Sequence, residues 1–510
     1  MKESCGRAAQ NKTQGIPTVT EPHRQPIAKV DTAWLRMEQP TNLMMITGVI
    51  VLRESVDFET LKEVVASRFL AFPRFRYKAV QTARGCWWEE DEDFELTSHI
   101  RRIALPGDAG KEELEEFVSE LASTPLDKYR PLWQFHFIEN YANGPALVMR
   151  IHHCYADGMA LVQVMLSLTD ADRQKSTALV EAEQWKRRRV RESNVFKRLM
   201  EPAREGIDAV QHLGYKLVEE AGHLIREPSQ ATAYAESASE IMSELATMLL
   251  LSDDPPSRFK GKLGVRKKVA WTQPLPLLEV KAIGQALGCT VNDVLIGIMT
   301  GALHRYLLQY GEDPSELEIR ATIPVNLRPL EHARELGNHF GTVFLDLPIW
   351  ESNPLARVYR VAENMHHLKN SKQASVSLGL LATLGMAPAA VQAAALELFA
   401  RKATTVLTNV PGPQKSLYMA GSEIGQMMVW VPQSGSIGMG ISILSYNEQV
   451  SCGVITDNKL VPDPERLVDN FAIEFENLLH LVMMLGPEIN RSPEEVENHV
   501  QAWLDNTPAD

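Results

Sequence analysis

Two runs of residues, PLWQFHFIEN (131–140) and ALVMRIHH (146–153), flank an Asn143-Gly144 turn and are rich in strand-forming side chains. That pattern predicts a β-hairpin. Its second strand runs without a break into CYADG, and GMALVQVMLSLTD then has the spacing of a helix starting at Gly158. Strand, short loop and helix in this order require a sheet with a helix packed beside it. The loop presents its polar side chains where a strand end meets a helix start, a common location for chemistry.

Similar element content surrounds this unit on both sides. Toward the N-terminus, Met44 to Leu52 reads as a strand, and SVDFETLKEVVASRFLAF reads as a helix with Asp57 as cap. Its apolar stripe is Phe58, Leu61, Val64, Val65, Phe69 and Leu70. CWWEE is a further strand and Glu112 to Leu121 a further helix. Beyond about residue 262 the mixture returns: helices around LEVKAIGQAL and NDVLIGIMTGALHRYLLQYG, with Thr290 or Asn292 as cap for the second. Strands follow at LEIRATIPVNLR and FGTVFLDLPIW, and a long helix closes the series at RLVDNFAIEFENLLHLVMML. Between these mixed regions lies a highly charged, helix-patterned stretch. Its basic run, Trp185 to Arg191, is either a solvated helix face or a surface for anionic partners.

The expected organisation is an N-terminal extension (1–30), a first half (31–175), a helical linker (176–261), a second half (262–490) and a tail (491–510). The 510 residues are enough for two such halves, and 23% charged with 45% hydrophobic residues is globular composition. A net charge of −13 argues against nucleic acid as the main partner. Five scattered cysteines, none in a CxxC arrangement, fit a reducing compartment and not structural zinc. The polar N-terminus lacks a signal-peptide core, so a cytoplasmic location is expected and Asn11-Lys12-Thr13 reads as a chance glycosylation pattern. Residues 373–396 carry no charge yet are rich in Ala, Gly, Ser and Gln. Low hydrophobicity favours helices joined near Gly385 to Pro388 over a membrane span, with contact to lipid as the alternative.

The paired histidines are poor metal ligands, because neighbours on a strand point to opposite faces and HHxxxD matches no tetrahedral site. Alternation puts His153 on the row of Leu147, Met149 and Ile151, and His152 on the other face. An imidazole continuing an apolar row is either a satisfied core histidine or a base kept neutral by burial. Asp157 has two structural jobs open to it: capping the helix at Gly158, or pairing with a remote cation, for which Arg328 is the best candidate. Cys154 is better placed as a small apolar filler than as a nucleophile.

HHCYADG also matches the HHxxxDG signature of the CoA-dependent acyltransferase and condensation superfamily. Further motifs occur in order: DTAWLRMEQPTNLMM, PLW (131–133), ND (292–293), PVNLRP (324–329), GNHFG (337–341) and NVPGP (409–413). With them, the chain from about residue 30 to about 485 resembles the bacterial bifunctional wax ester synthase/diacylglycerol acyltransferase family. The resemblance implies a mixed α/β (α+β) fold of two chloramphenicol-acetyltransferase-like sandwich halves with an active-site tunnel where they meet. It implies His153 as catalytic base, His152 in support, Asp157 as mainly structural and Asn292 near the centre.

The implied substrates are a fatty acyl-CoA and a long-chain alcohol or diacylglycerol, with no further cofactor and no metal. Residues expected beside substrate are Gly158, Pro131, Leu132, Trp133, Asn409 and Gly438. Arg258, among several lysines and arginines, is a candidate for the CoA phosphates or simply part of a solvated charge run. Such an enzyme would associate peripherally with the inner membrane or lipid inclusions. The alternatives are a superfamily enzyme with a non-lipid alcohol or amine acceptor, and a non-catalytic lipid-droplet scaffold.

Overall fold

A computed structural model describes residues 24–83, 85–178, 243–328, 336–369 and 371–485. Most of the expected linker, including the basic run from Trp185, and the C-terminal tail lie outside the described residues. In chain order the first half comprises β1 (Arg24–Pro26), α1 (Lys29–Met37), β2 (Met45–Leu52), α2 (Phe58–Val64), β3 (Tyr77–Thr82) and β4 (Gly85–Glu90). It continues with β5 (Ile100–Ile103), α3 (Lys111–Ser123), β6 (Trp133–Ile138), β7 (Ala146–His152), α4 (Gly158–Ser167) and α5 (Arg173–Ser176).

After the linker come β8 (Lys267–Trp271), β9 (Leu275–Pro276), α6 (Leu277–Leu287), α7 (Val291–Gln309), β10 (Ile319–Asn326) and β11 (Phe340–Leu347). Three helices follow: α8 (Pro354–Lys369), α9 (Gln373–Leu384) and α10 (Ala389–Ala400). The chain then forms β12 (Thr405–Pro411), β13 (Tyr418–Met419), β14 (Ser422–Trp430), β15 (Met439–Tyr446), β16 (Gln449–Asp457) and α11 (Pro464–Leu485).

The predicted hairpin is β6 and β7, antiparallel with Ile138 opposite Ala146. Its turn needs glycine: Gly144 has φ +107°, and a Cβ there would stand 2.0 Å from the Leu52 carbonyl oxygen. The caps also fall where the residue types place them. Asp57 accepts the Thr60 amide at the start of α2, and Thr290, not Asn292, caps α7 by accepting the Asp293 amide. Leu61, Val64, Val65, Phe69 and Leu70 are buried as their spacing requires. Each such side chain contributes roughly 1.5–3 kcal/mol on burial.

One large sheet has the order β13-β14-β2-β7-β6-β5 and the other β11-β10-β12-β15-β16-β8, with β9 pairing beside β16; a third, small sheet is β1-β4-β3. The first order departs from a simple division at residue 262. β14 belongs to the second half by sequence, yet it pairs antiparallel with β2, setting Met428 opposite Val49. Its apolar residues therefore complete the first sheet. The halves share a core as well: Val49, Val51 and Val148 pack in one cluster with Trp271, Trp430, Leu444 and Ile455. Large aromatic side chains from two sheets filling one layer lock the halves together.

The charge-free segment 373–396 forms α9 and the larger part of α10, joined through Gly385–Pro388. Arg36 of α1 donates to the carbonyls of Gly385 and Ala387, holding that turn. Gly341 of β11 lets α9 come close, since a Cβ there would fall 1.7 Å from the Ala374 carbonyl oxygen. Among the described residues, no single helix is long and apolar enough to cross a membrane.

Candidate active site

β7 is buried along its whole length and ends at His152. Its alternation sends Leu147, Met149 and Ile151 into the core that contains Trp34, while Ala146 and Val148 enter the core between the sheets. His153 follows the first row, as its phase predicts. Its amide donates to the Met44 carbonyl at 2.7 Å, and its imidazole stacks on Trp34, with ring centroids 4.1 Å apart and an interplanar angle of 17°. Phe340 stands on another side, 5.6 Å from the imidazole centroid.

His153 opens on a cavity of about 230 Å³ between the two halves. Trp34 and Met37 of α1, Phe340 and Phe344 of β11, Leu380, Leu381 and Leu384 of α9, and Phe399 of α10 form much of its apolar wall. Burial pushes the His153 pKa down to about 4, with the negative charge of Asp157 acting in the opposite direction. The imidazole is therefore neutral at pH 7. Its Nδ1 is fully enclosed, which leaves Nε2 as the ring nitrogen nearer the cavity.

His152 does a different job. Its Nδ1 accepts the Cys154 amide at 3.1 Å, so its proton sits on Nε2. That nitrogen lies 3.2 Å from Glu38. Burial raises the Glu38 pKa, but its contacts with His152 and Lys128 outweigh this and hold it below the ordinary carboxylate range. Cys154 is buried, and desolvation pushes its thiol well above the ordinary range, so it is no thiolate nucleophile.

Asp157 fills both of its candidate roles. It caps α4 by accepting the Ala160 amide at 2.8 Å. Its other oxygen receives the Arg328 guanidinium at 2.7 Å and the His339 amide at 2.9 Å. Arg328 also donates to the Gly337 carbonyl, and the same carbonyl accepts the Asp157 amide. PVNLR and GNH of the second half are thus fastened to the turn after the histidines.

Of the other predicted site residues, Gly158 and Asn409 line the cavity. Asn292 stands behind Asn409 and accepts its side-chain amide at 2.8 Å. Pro131, Leu132 and Trp133 are not among the residues lining this cavity. Trp133 is buried against Phe69 and His99, and its indole donates to the Phe75 carbonyl. The Leu132 carbonyl accepts the His152 amide, and its own amide donates to the Tyr155 hydroxyl. This segment braces the histidine loop from behind.

Gly438 is not among the lining residues, although Ile437 beside it is, and the Leu460 and Leu263 side chains occupy the space a Cβ there would take. Arg258 pairs with Glu312 at 2.7 Å and covers the Tyr310 ring. Lys260 donates to the Ala400 and Ala403 carbonyls, Arg266 pairs with Glu116, and Lys267 is buried with Asp457. Each of those basic side chains has a partner within the fold. Among the described residues, no group of three or more His, Cys, Asp or Glu side chains is arranged to hold a metal ion.

Residues 27–295 match the family described as the wax ester synthase/diacylglycerol acyltransferase catalytic domain, and residues 336–479 match the WS/DGAT C-terminal domain. The chain belongs to this family. It is an acyltransferase of the wax ester synthase/diacylglycerol acyltransferase type. A putative diacylglycerol O-acyltransferase of Mycobacterium tuberculosis is 26% identical over 475 residues, covering 89% of this chain and 90% of that protein. An O-acyltransferase of Acinetobacter baylyi is 24% identical over 470 residues, covering 89% and 96%.

The solved wax ester synthase/diacylglycerol acyltransferase of Marinobacter aquaeolei VT8 superposes with a TM-score of 0.62 at 19% identity, covering 90% of this chain and all of that one. The starter condensation domain of rhizomide synthetase has a TM-score of 0.53 at 12% identity, covering 92% and 96%. These likenesses show the expected two-half fold.

Sequence reasoning singled out the histidines but gave no role to Asp31, Trp34, Glu38 or Asn338. The available signal was spacing. Asp31, Trp34 and Glu38 stand at i, i+3 and i+7, so one stripe running to the end of α1 faces the histidine loop. The buried imidazole also makes a pH prediction for its proposed part as base. Burial raises the Asp31 pKa to about 6, and His153 must be neutral to accept a proton. The acid limb of kcat/KM should therefore fall between about pH 4 and about pH 6. A limb centred at or above the ordinary imidazole value of 6.5 would contradict a desolvated base.

Proposed function

We propose that this acyltransferase moves a long-chain acyl group from acyl-CoA to the hydroxyl of a fatty alcohol, of diacylglycerol, or of both. The observation that carries the reading is His153, buried and neutral, opening into an apolar cavity between the halves. Its Nε2 takes the proton as the alcohol oxygen attacks the thioester carbonyl carbon. The tetrahedral oxyanion collapses with cleavage of the C–S bond, and the imidazolium returns the proton to the departing thiolate. No covalent acyl-enzyme is needed, and fatty acyl-CoA serves as co-substrate. The cavity supplies proximity and keeps water from the thioester.

The acceptor class follows from the wall. Leucine and phenylalanine side chains match an alkyl chain, while Asn409 and Thr408 are among the few polar groups available to orient its end. His153→Ala should fold normally and lose at least about 10²-fold in ester formation. With labelled palmitoyl-CoA and the wild-type enzyme, hexadecanol or diacylglycerol should be esterified in preference to short alcohols and amines. Undiminished turnover in the variant would refute the base, and a dominant non-lipid product would refute the acceptor class.

Peripheral association with a membrane or lipid inclusion is the second part of the proposal. The inner faces of α9 and α10 line the cavity, while Met386 (58% exposed) and Val391 (54%) face solvent within the charge-free segment. Lipid substrates partition into bilayers, so an apolar surface beside the cavity shortens their path. The protein should float with phosphatidylcholine vesicles, and Met386→Asp with Val391→Asp should weaken flotation. Equal flotation of that double variant would reject this face.

A further inference from the structure

The base is held from α1 at two levels. Asp31 is buried, and its Oδ1 accepts the Asn338 amide at 3.0 Å and the Asn338 side-chain Nδ2 at 2.8 Å. The same Nδ2 donates to the main-chain carbonyl of His153 at 2.8 Å. One turn after Asp31, Trp34 lies flat against the His153 imidazole. Asp31 Oδ2 faces Arg74 at 3.9 Å, and Arg74 in turn donates to the Tyr155 carbonyl. The contacts join α1, the histidine loop and the Gly337–His339 segment of the second half.

We propose that Asp31 is a positioning residue for acyl transfer. Through Asn338 it fixes the His153 main chain, and through the register of α1 it fixes Trp34 on the imidazole. Neither Asp31 nor Asn338 is among the residues lining the cavity, so in this proposal they have no part in substrate affinity. Their removal changes the aim of Nε2 and the seat of Trp34 on the imidazole, and leaves the rest of the wall intact. Small displacements of a base matter because attack requires near-contact geometry: a misplacement of about 1 Å costs on the order of 10²-fold in rate. A carboxylate accepting two hydrogen bonds suits this task, since charge-assisted bonds are short and directional.

This inference rests on His153 being the base, and the test separates the two. Steady-state kinetics with palmitoyl-CoA and hexadecanol are measured on the full chain for Asp31→Ala, Asp31→Asn, Asn338→Ala and the double alanine variant, with thermal unfolding as a folding check. Asp31→Ala and Asn338→Ala should each lower kcat about 10²-fold while both KM values stay within about twofold. Asp31→Asn keeps an acceptor oxygen and should recover most of kcat. The double variant should be little worse than either single one, because the two side chains form one linkage.

Full kcat in a folded Asn338→Ala or Asp31→Ala protein would overturn the proposal. So would raised KM with unchanged kcat, or Asp31→Asn as impaired as Asp31→Ala. If Asp31→Ala does not fold, Asn338→Ala and Asp31→Asn decide by the same criteria. His153→Ala in the same assay reports on the base itself: its retained activity would defeat the underlying reading, whereas its loss alongside a normal Asn338→Ala would defeat only the positioning role.

Discussion

The buried carboxylate of Asp157 is the point on which the two halves of the molecule agree. It ends the histidine loop by capping α4, pairs with Arg328 at 2.7 Å and accepts the His339 amide. A buried ion pair gains little net stability over a well-packed apolar substitute, because both charges must leave water. Removing one partner is costly, roughly 3–5 kcal/mol, since the other charge is stranded. The pair therefore acts as a register pin. With it in place, Gly337, Asn338 and Phe340 of the second half come to rest around His153.

That placement solves an electrostatic difficulty. An imidazole enclosed by Trp34, Phe340 and the cavity wall cannot carry a charge cheaply, so it stays neutral and able to accept a proton. The proposed mechanism forms an imidazolium only transiently, and Asp157 is the nearby negative charge that opposes its desolvation. His152 is kept out of this chemistry. Its donor nitrogen is turned toward Glu38 on the opposite side, and its acceptor nitrogen is occupied by the Cys154 amide. The last residue of β7 and its successor thus have different environments because they face different ways.

Much of this was legible in the chain. The hairpin, the helix at Gly158 and the phase of the two histidines follow from local pattern, as do helices joined near Gly385 to Pro388 in the charge-free segment. The Asp157–Arg328 pair was a candidate on charge alone, because its partners stand 171 positions apart. Three features were not legible, each for a physical reason. β14 crosses to the first sheet because strand pairing is set by partner edges distant in sequence, here Met428 against Val49. Trp133 looks like a site residue in its motif, but its indole satisfies a backbone carbonyl inside the core. Asp31 and Asn338 meet across more than 300 positions, a separation that no window of local spacing can report.

Direct transfer from thioester to alcohol is the central chemical claim, and the first turnover in the absence of acceptor tests it. Enzyme mixed rapidly with labelled palmitoyl-CoA alone should show no stoichiometric burst of free CoA and no label on the denatured protein, and adding hexadecanol should release CoA and ester together. A burst of one CoA per active site, with acyl label retained on the chain, would contradict it.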